Sequence, residues 1–227
     1  MHNLLAHSIA DVIKRAQEKT QLGRFMLGIA GAPGAGKTTL ARKLVAEINR
    51  CSASEIAIGL PMDGFHMRNS VLDQKNLRAL KGIPDTFDAP GFVNKLKELR
   101  ELPPRVVHCP EFDRALDEPT EGAISVQPSH RIIIVEGNYL LLQREPWTAV
   151  AALLDESWFL DVSEAIIKPR LLERHIQGGR SGVLAQEKIE STDLPNAKLV
   201  TETRVHASVV LQPAADGSYN VISAASP

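Results

Sequence analysis

Little in this chain points toward the cell exterior, a membrane or a nucleic acid. Cysteine is scarce: Cys51 and Cys109 are the only two, too few for a disulfide framework and consistent with inert thiols in a reducing compartment. No stretch reaches the roughly 18 consecutive apolar residues that would span a bilayer. The first residues lack the basic-then-apolar pattern of a signal peptide, because His7, Asp11, Lys14 and Arg15 interrupt it. A cytoplasmic location is expected. Charge of one sign is missing as well. Lysine and arginine total 26 against 27 aspartates and glutamates, a formal net charge of −1, which argues against a dedicated nucleic-acid surface. Aromatic residues make up only 4%, with two tyrosines, so no ring stands out as a platform for a pyrimidine. Phe65, Phe87, Phe92 and Phe112 remain candidates for that task. The histidines His2, His7, His130 and His206 show no metal-ligand spacing.

What is present is a strand–helix alternation. The 227 residues suit one α/β domain, 1–227, and the alternation predicts a parallel sheet covered on both faces. Leu5, Ile9, Val12, Ile13 and Ala16 recur at helical spacing. Phe25 to Ala30 and Ile56 to Met62 read as strands, with a helix over Leu40, Ala41, Leu44, Val45 and Ile48 between them. Helical material follows at Ser70 to Leu80 and Phe92 to Glu101, then a short strand at Arg105 to Cys109. Glu111 to Pro128 reads as loop. Arg131 to Val135 and Trp158 to Val162 are the next strands. Asp161 with Glu164 resembles a capping box, and Pro169 kinks or restarts the helix that follows. A late strand is expected at Val205 to Leu211, and Asp216-Gly217 turns into a last one at Tyr219 to Ile222.

Four segments carry chemistry. Gly31, Ala32, Pro33, Gly34, Ala35, Gly36, Lys37 and Thr38 match G-x-x-x-x-G-K-[ST] in full, with Thr39 beyond. Glycines let converging N–H groups approach a triphosphate, and the following helix aims its first amides at the same anion. Lys37 supplies a cation for the β and γ phosphates, and Thr38 a hydroxyl for Mg²⁺. Asp63, directly after the second strand, stands where ligands of parallel sheets bind. There it can take the proton of an attacking hydroxyl or help hold Mg²⁺; capping a turn is its other reading. Ile132 to Val135 followed by Glu136 and Gly137 has the form of a Walker B strand. Glu136 is the second candidate for Mg²⁺, and Gly137 is expected to open space beside the phosphates. Arg170, Arg174, His175 and Arg180 form a basic cluster before and around Gly178 and Gly179. The cluster suits a lid that brings a guanidinium to the phosphoryl group, or else a solvated face with pairs such as Glu173–His175. His66, Arg68, His108, Asp113, Arg114 and Asn196 are candidate contacts to the acceptor. Asp88-Ala-Pro-Gly91 matches the D-x-x-G of GTPases, but no apolar strand precedes it and no N-K-x-D occurs, so that class is set aside.

Together these motifs resemble the family of uridine kinase, type I pantothenate kinase and phosphoribulokinase. The resemblance rests on G-A-P-G-A-G-K-T-T at 31–39, M-D-G-F-H at 62–66, P-E-F-D-R at 110–114, I-V-E-G-N-Y at 134–139 and R-L-L-E-R-H at 170–175. Asp-Gly-Phe after the second strand looks most like pantothenate kinases. The E-F-D-R and D-L-P-N-A stretches look like a bacterial fructokinase-like, sugar-transport-associated branch. The resemblance implies a P-loop three-layer sandwich with a five-stranded parallel sheet of order 2-3-1-4-5. It implies an acceptor-binding insertion at about 63–128 and a small lid at about 170–195. Asp63 would be the catalytic base, Glu136 would sit near Mg²⁺, and Arg170 and Arg174 would meet the phosphates. ATP, Mg²⁺ and a small hydroxyl acceptor are the implied partners, most simply a sugar, and a homodimer is compatible. A nucleoside or pantothenate acceptor, or an ATP-gated regulator with no acceptor, are the alternatives.

Overall fold

The computed structural model describes residues 11–16, 18 and 23–224. Helical residues 11–16 (α1) bury Val12 and Ala16, and Arg15 pairs with Glu156 at 2.9 Å. The Leu5 and Ile9 part of that helical pattern lies outside the described residues. Strand β1, Phe25–Gly31, is buried at every position, as an apolar run in the middle of a parallel sheet must be. A loop leads into α2, Lys37–Ser52, which buries Leu40, Ala41, Leu44 and Ile48 at the predicted spacing. Strand β2, Ala57–Pro61, runs into a tight turn at Met62–Phe65. Short helix α3, Asn69–Gln74, and α4, Ala89–Arg100, follow.

Strands β3, Val107–Asp113, and β4, Glu118–Val126, form an antiparallel hairpin outside the main sheet. β4 replaces the loop expected from its acidic, glycine-containing sequence. One face of it is solvated, so the alternation that marks a buried strand is weak there. Strand β5, Ile132–Gly137, is wholly buried. Helix α5, Thr148–Ala151, precedes β6, Glu156–Leu160. Helices α6, Glu164–Gln177, and α7, Gly182–Lys188, lead through a π turn at Ile189–Asp193 into α8, Leu194–Glu202. Strands β7, Val209–Pro213, and β8, Tyr219–Ala224, close the chain's sheet.

The sheet has six strands in the order β2-β5-β1-β6-β7-β8. β8 is antiparallel to β7, and the other pairings are parallel. The expectation of five strands therefore misses the antiparallel edge strand, although the five parallel strands, numbered by themselves, fall 2-3-1-4-5. Side chains alternate across the sheet. Met26 and Ala30 of β1, with Ile133 and Val135 of β5, join α4 and Trp147 on one face. Leu27 and Ile29, with Ile132 and Ile134, join α2 and α6 on the other. Helices thus cover both faces.

Three local expectations are corrected. Asp161 opens no capping box: it accepts from Arg204, and Ser163 precedes α6 without a side-chain cap. Of the two readings of Pro169, a restart is excluded, because α6 runs through it. Val205 and His206, read as the start of a strand, lie in the 3₁₀ turn Thr203–His206. Among the described residues no helix is long and apolar enough to cross a membrane.

Arg24 is 2% exposed and locks the edge of the core. Its guanidinium donates to the carbonyls of His130, Leu99, Arg105 and Gln127 at 2.7–3.3 Å. It thereby ties β1 to the ends of α4 and β4. Arg24→Ala would orphan these acceptors and should lower stability by about 3 kcal/mol or more, read from the urea midpoint. Arg24→Lys should restore only a part, because an ammonium offers three donors.

Candidate active site

The phosphate loop, Asp63 and Glu136 stand at the carboxyl ends of β1, β2 and β5. The glycine-rich loop joins β1 to α2. Gly36, at φ +102°, is the N-cap of α2 and offers no side-chain bond. The first amides of α2 therefore face the loop's hollow uncapped, as an anion-binding helix start requires. Ala32, Pro33 and Ala35 are buried beneath that hollow and Thr39 is exposed beside it, while Gly34 adopts φ +77°. Lys37 Nζ donates to the Ala32 carbonyl at 3.0 Å and to Asn138 Oδ1 at 2.7 Å. Thr38 Oγ1 donates to Glu136 Oε1 at 2.7 Å. Arg170 reaches the loop from α6 and donates to the carbonyls of Gly34 and Ala35, both at 3.3 Å. An open helix start, a lysine beside it and a hydroxyl on a carboxylate fit a polyphosphate with a hard cation. Mg²⁺ is ordinarily held by one or two carboxylates plus the phosphates rather than by a full protein cage. Among the described residues there is no cluster of three or more acidic, histidine or cysteine ligands.

Asp63 is delivered by close packing. A Cβ on Gly137 would come within 2.5 Å of Met62 Cβ, and one on Gly64 within 2.3 Å of the Pro110 carbonyl. These two glycines let the Met62–Phe65 turn nest between β5 and β3. Gly137 thus makes room for Met62, which corrects the expectation that it opens space at the phosphates. Asp63 Oδ2 takes a bond from Arg114 at 3.3 Å. The charges act on one another across the cleft. Burial lowers the Lys37 pKa, Glu136 and Asp63 raise it, and Arg174 and Arg114 lower it further. Burial raises the Glu136 pKa and Asp63 adds to the rise, while Lys37, the Thr38 hydroxyl and Arg114 oppose it.

Beyond the turn lies a cavity of about 510 Å³. Its lining includes His66, Arg68, Asp88, Lys95, His108 and Glu121, and no residue of the phosphate loop. His66 donates from Nδ1 to the Asp63 carbonyl at 2.8 Å. Its ring lies between Phe87 and Phe112, with centroids 4.0 and 4.6 Å away. Burial lowers its pKa, so at neutral pH Nε2 carries a free lone pair. His108 meets Ser125 Oγ at 3.0 Å, and Arg68 lies 3.7 Å from Glu121.

Two candidates serve elsewhere. Asp113 accepts from the amides of Ala115 and Leu116 and so shapes the hairpin turn. Asn196 is 5% exposed and donates to the Gly82 carbonyl at 3.3 Å, tying α8 to the segment before α4. The Glu173–His175 pair does not form: Glu173 accepts from Gln177 and His175 meets Asp193.

Asp88, part of the D-x-x-G pattern, lines the cavity. It is the N-cap of α4, accepting from Gly91 N at 3.0 Å. A Cβ on Gly91 would lie 2.1 Å from Asp88 Oδ2, so only glycine leaves the carboxylate its place. The readable signal was the cap itself, an aspartate with a proline in the first helical turn.

Comparison with known proteins places the chain in a family. The model of the phosphoribulokinase/uridine kinase family matches residues 26–215. A Schizosaccharomyces pombe protein whose name assigns it provisionally to the uridine kinases is 37% identical over 196 residues, 83% of each chain. An uncharacterised Escherichia coli protein is 34% identical, over 98% of this chain and 90% of its own. A crystal structure from a Silicibacter species, described provisionally as a fructose transport system kinase, superposes with a TM-score of 0.81. It is 34% identical, with 89% of this chain and 97% of that one covered.

Glu136 sets a stability trade at this site. Its folded pKa is raised, so the folded state binds more protons than the unfolded chain above the ordinary glutamate range. Stability then falls as pH rises from that range through the raised value. Glu136→Gln should be more stable than the parent at pH 7 by about 1 kcal/mol. Urea melts at pH 4 and pH 7 should show the gain shrinking at the lower pH.

Proposed function

The chain belongs to the phosphoribulokinase/uridine kinase family, and from that premise we propose that it transfers the γ-phosphoryl group of ATP to a hydroxyl of a sugar or sugar-like polyol. The observation that carries this reading is the position of Asp63. Its charge acts on Lys37 of the phosphate loop, and the residues directly after it, Gly64 to Arg68, line the polar cavity. A carboxylate between a triphosphate cradle and an acceptor-sized pocket suits a general base.

In this scheme the loop amides and Lys37 hold the β and γ phosphates. Thr38 and Glu136 would hold Mg²⁺, which would supply charge neutralisation on the phosphates. Asp63, oriented by Arg114, takes the hydroxyl proton as the acceptor oxygen bonds to the γ phosphorus. The bond to the β–γ bridging oxygen breaks and ADP departs. Arg170 and Arg174 meet the charge on the transferring group. Residues 170–195 act as the lid, and residues 63–128 supply the acceptor pocket within one domain.

The sugar reading over a nucleoside rests on the rings. Phe65, Phe87 and Phe92 are 6%, 3% and 0% exposed and packed into the core. Phe112 has His66 on its ring and Lys81 4.9 Å from its centroid. None of these offers a bare face to a base. The remaining lining carries donors and acceptors of both signs: Arg68, His108 and the Nε2 of His66 beside Asp88 and Glu121. That mixture matches several hydroxyls. The description of the Silicibacter protein as a fructose transport system kinase points the same way.

ADP release measured over sugars, polyols, nucleosides and pantothenate should rise with sugars or polyols. A rise confined to nucleosides or pantothenate would replace the acceptor. No dependence on any acceptor would favour an ATP-gated regulator. Asp63→Asn should cut turnover by about 10²–10⁴-fold with ATP affinity nearly intact, and near-normal turnover would remove Asp63 from the role of base.

A further inference from the structure

Helix α6 carries a buried histidine that the transfer scheme does not use. His175 is 7% exposed, and its Nε2 lies 2.6 Å from Oδ2 of Asp193, itself 8% exposed. Its Nδ1 lies 3.0 Å from Nη1 of Arg180. A guanidinium only donates, so Nδ1 accepts and the ring proton stands on Nε2, donated to Asp193. The imidazole is neutral and joins a carboxylate to a guanidinium in a fixed order. The backbone repeats the link. Arg180 N–H donates to the His175 carbonyl at 3.0 Å, across a turn in which Gly179 has φ +87°. Arg180 is therefore folded back onto one residue by both its amide and its side chain, while remaining exposed to solvent.

Asp193 owes its place to an irregularity. It ends the π turn Ile189–Asp193 between α7 and α8. A π turn holds an extra residue, and each residue rotates a helix by about 100°, so side chains beyond it are redirected. Such turns recur at functional sites. The charge pattern is equally specific. Asp193 and Arg180 both act on Arg174 and on Lys188, and Arg174 also feels Asp63 and Arg114. Arg174 and Lys188 share one carboxylate that is already engaged with His175, and Arg174 in turn acts on Lys37 of the phosphate loop. An arriving polyanion suits this group.

We propose that Asp193 and His175 are positioning residues that set Arg180 toward the terminal phosphate of the bound nucleotide. The proposal rests on the reading that the glycine-rich loop holds ATP. An arginine beyond two glycines would otherwise lose its rotamer freedom on engagement, and the fixed imidazole makes that loss in advance. Arg180 itself makes the contact, and the buried pair acts only through it.

The test is a double-mutant cycle read by titrating ATP and ADP separately. Arg180→Gln changes an exposed residue. His175→Gln puts an amide donor where Nε2 stood, so Asp193 keeps its bond while Arg180 loses its acceptor. Each single variant should weaken ATP binding about tenfold and ADP binding less than about twofold, and the double variant should be no weaker than Arg180→Gln alone. Losses that multiply would overturn the proposal, as would equal losses for ADP and ATP or an unchanged ATP affinity in His175→Gln. If His175→Gln does not fold, Asp193→Asn enters the same cycle. Unfolding of both would assign the pair to stability alone and overturn the role. A parent protein that binds no ATP would fail at the earlier reading, whereas a parent that binds ATP with an additive cycle fails only here.

Discussion

The site depends on two opposite charges that are buried together without neutralising each other. Lys37 is 8% exposed and Glu136 6%, yet the lysine is bonded to Ala32 and Asn138 and the glutamate to Thr38. Each charge is desolvated, and each pKa moves toward its neutral form. Burying charge costs unless it is paired and fully hydrogen-bonded. The rest of the fold keeps this arrangement in place. β1 and β5 are adjacent and parallel, with Ile29 opposite Glu136, so the loop after one strand and the acid ending the other must meet. A bound polyphosphate with its cation would supply the partners that water no longer does, which makes the strain a reservoir for binding.

Legibility in the sequence followed the physics of each element. β1 and β5 are buried on both faces, so their apolar runs were plain, and the loop needs glycine at Gly34 and Gly36 because the backbone turns left-handed there. Asp63, Thr38 and Glu136 could be placed because parallel strands end on one side of a sheet. The hairpin could not. β4 keeps one face in solvent, and its Glu-Pro-Thr-Glu-Gly start carries turn-forming residues inside a strand. The use of Asp113 on its own turn and of Asn196 on the Gly82 carbonyl was equally hidden. A polar residue near a site looks the same in sequence whether it faces a ligand or a carbonyl. Asp88 erred the other way: a pattern borrowed from another enzyme class masked an ordinary helix cap.

The His175–Asp193 contact marks a limit of reading by spacing. Helical periodicity offers only residues three or four away on the same helix, such as Leu171 and Leu172, whereas the partner found lies in the π turn beyond α7. An inserted helical residue leaves no compositional trace, so its effect on side-chain direction emerges only in three dimensions.

Helices α7 and α8 are tied to the wall of the polar cavity. Lys188 of α7 donates to the carbonyls of Ala79 and Lys81, and Asn196 and Tyr139 both donate to that of Gly82. The ammonium of Lys81 reaches the other way, to Asn69, to Asp117 and over the ring of Phe112. Phe112 in turn stacks on His66, which lines the cavity. Each step is a hydrogen bond or ring contact between packed groups, so a shift of α7 has a physical route to the cavity wall. The residues along it, Lys81 and Phe112 among them, belong to none of the phosphate motifs. The phosphate motifs therefore lie in the loop and strand ends, while the shape of the polar cavity is set by the hairpin and by the segment that the helices after α6 grip. Chains that keep every phosphate-binding residue can thus differ in the hydroxyl they choose.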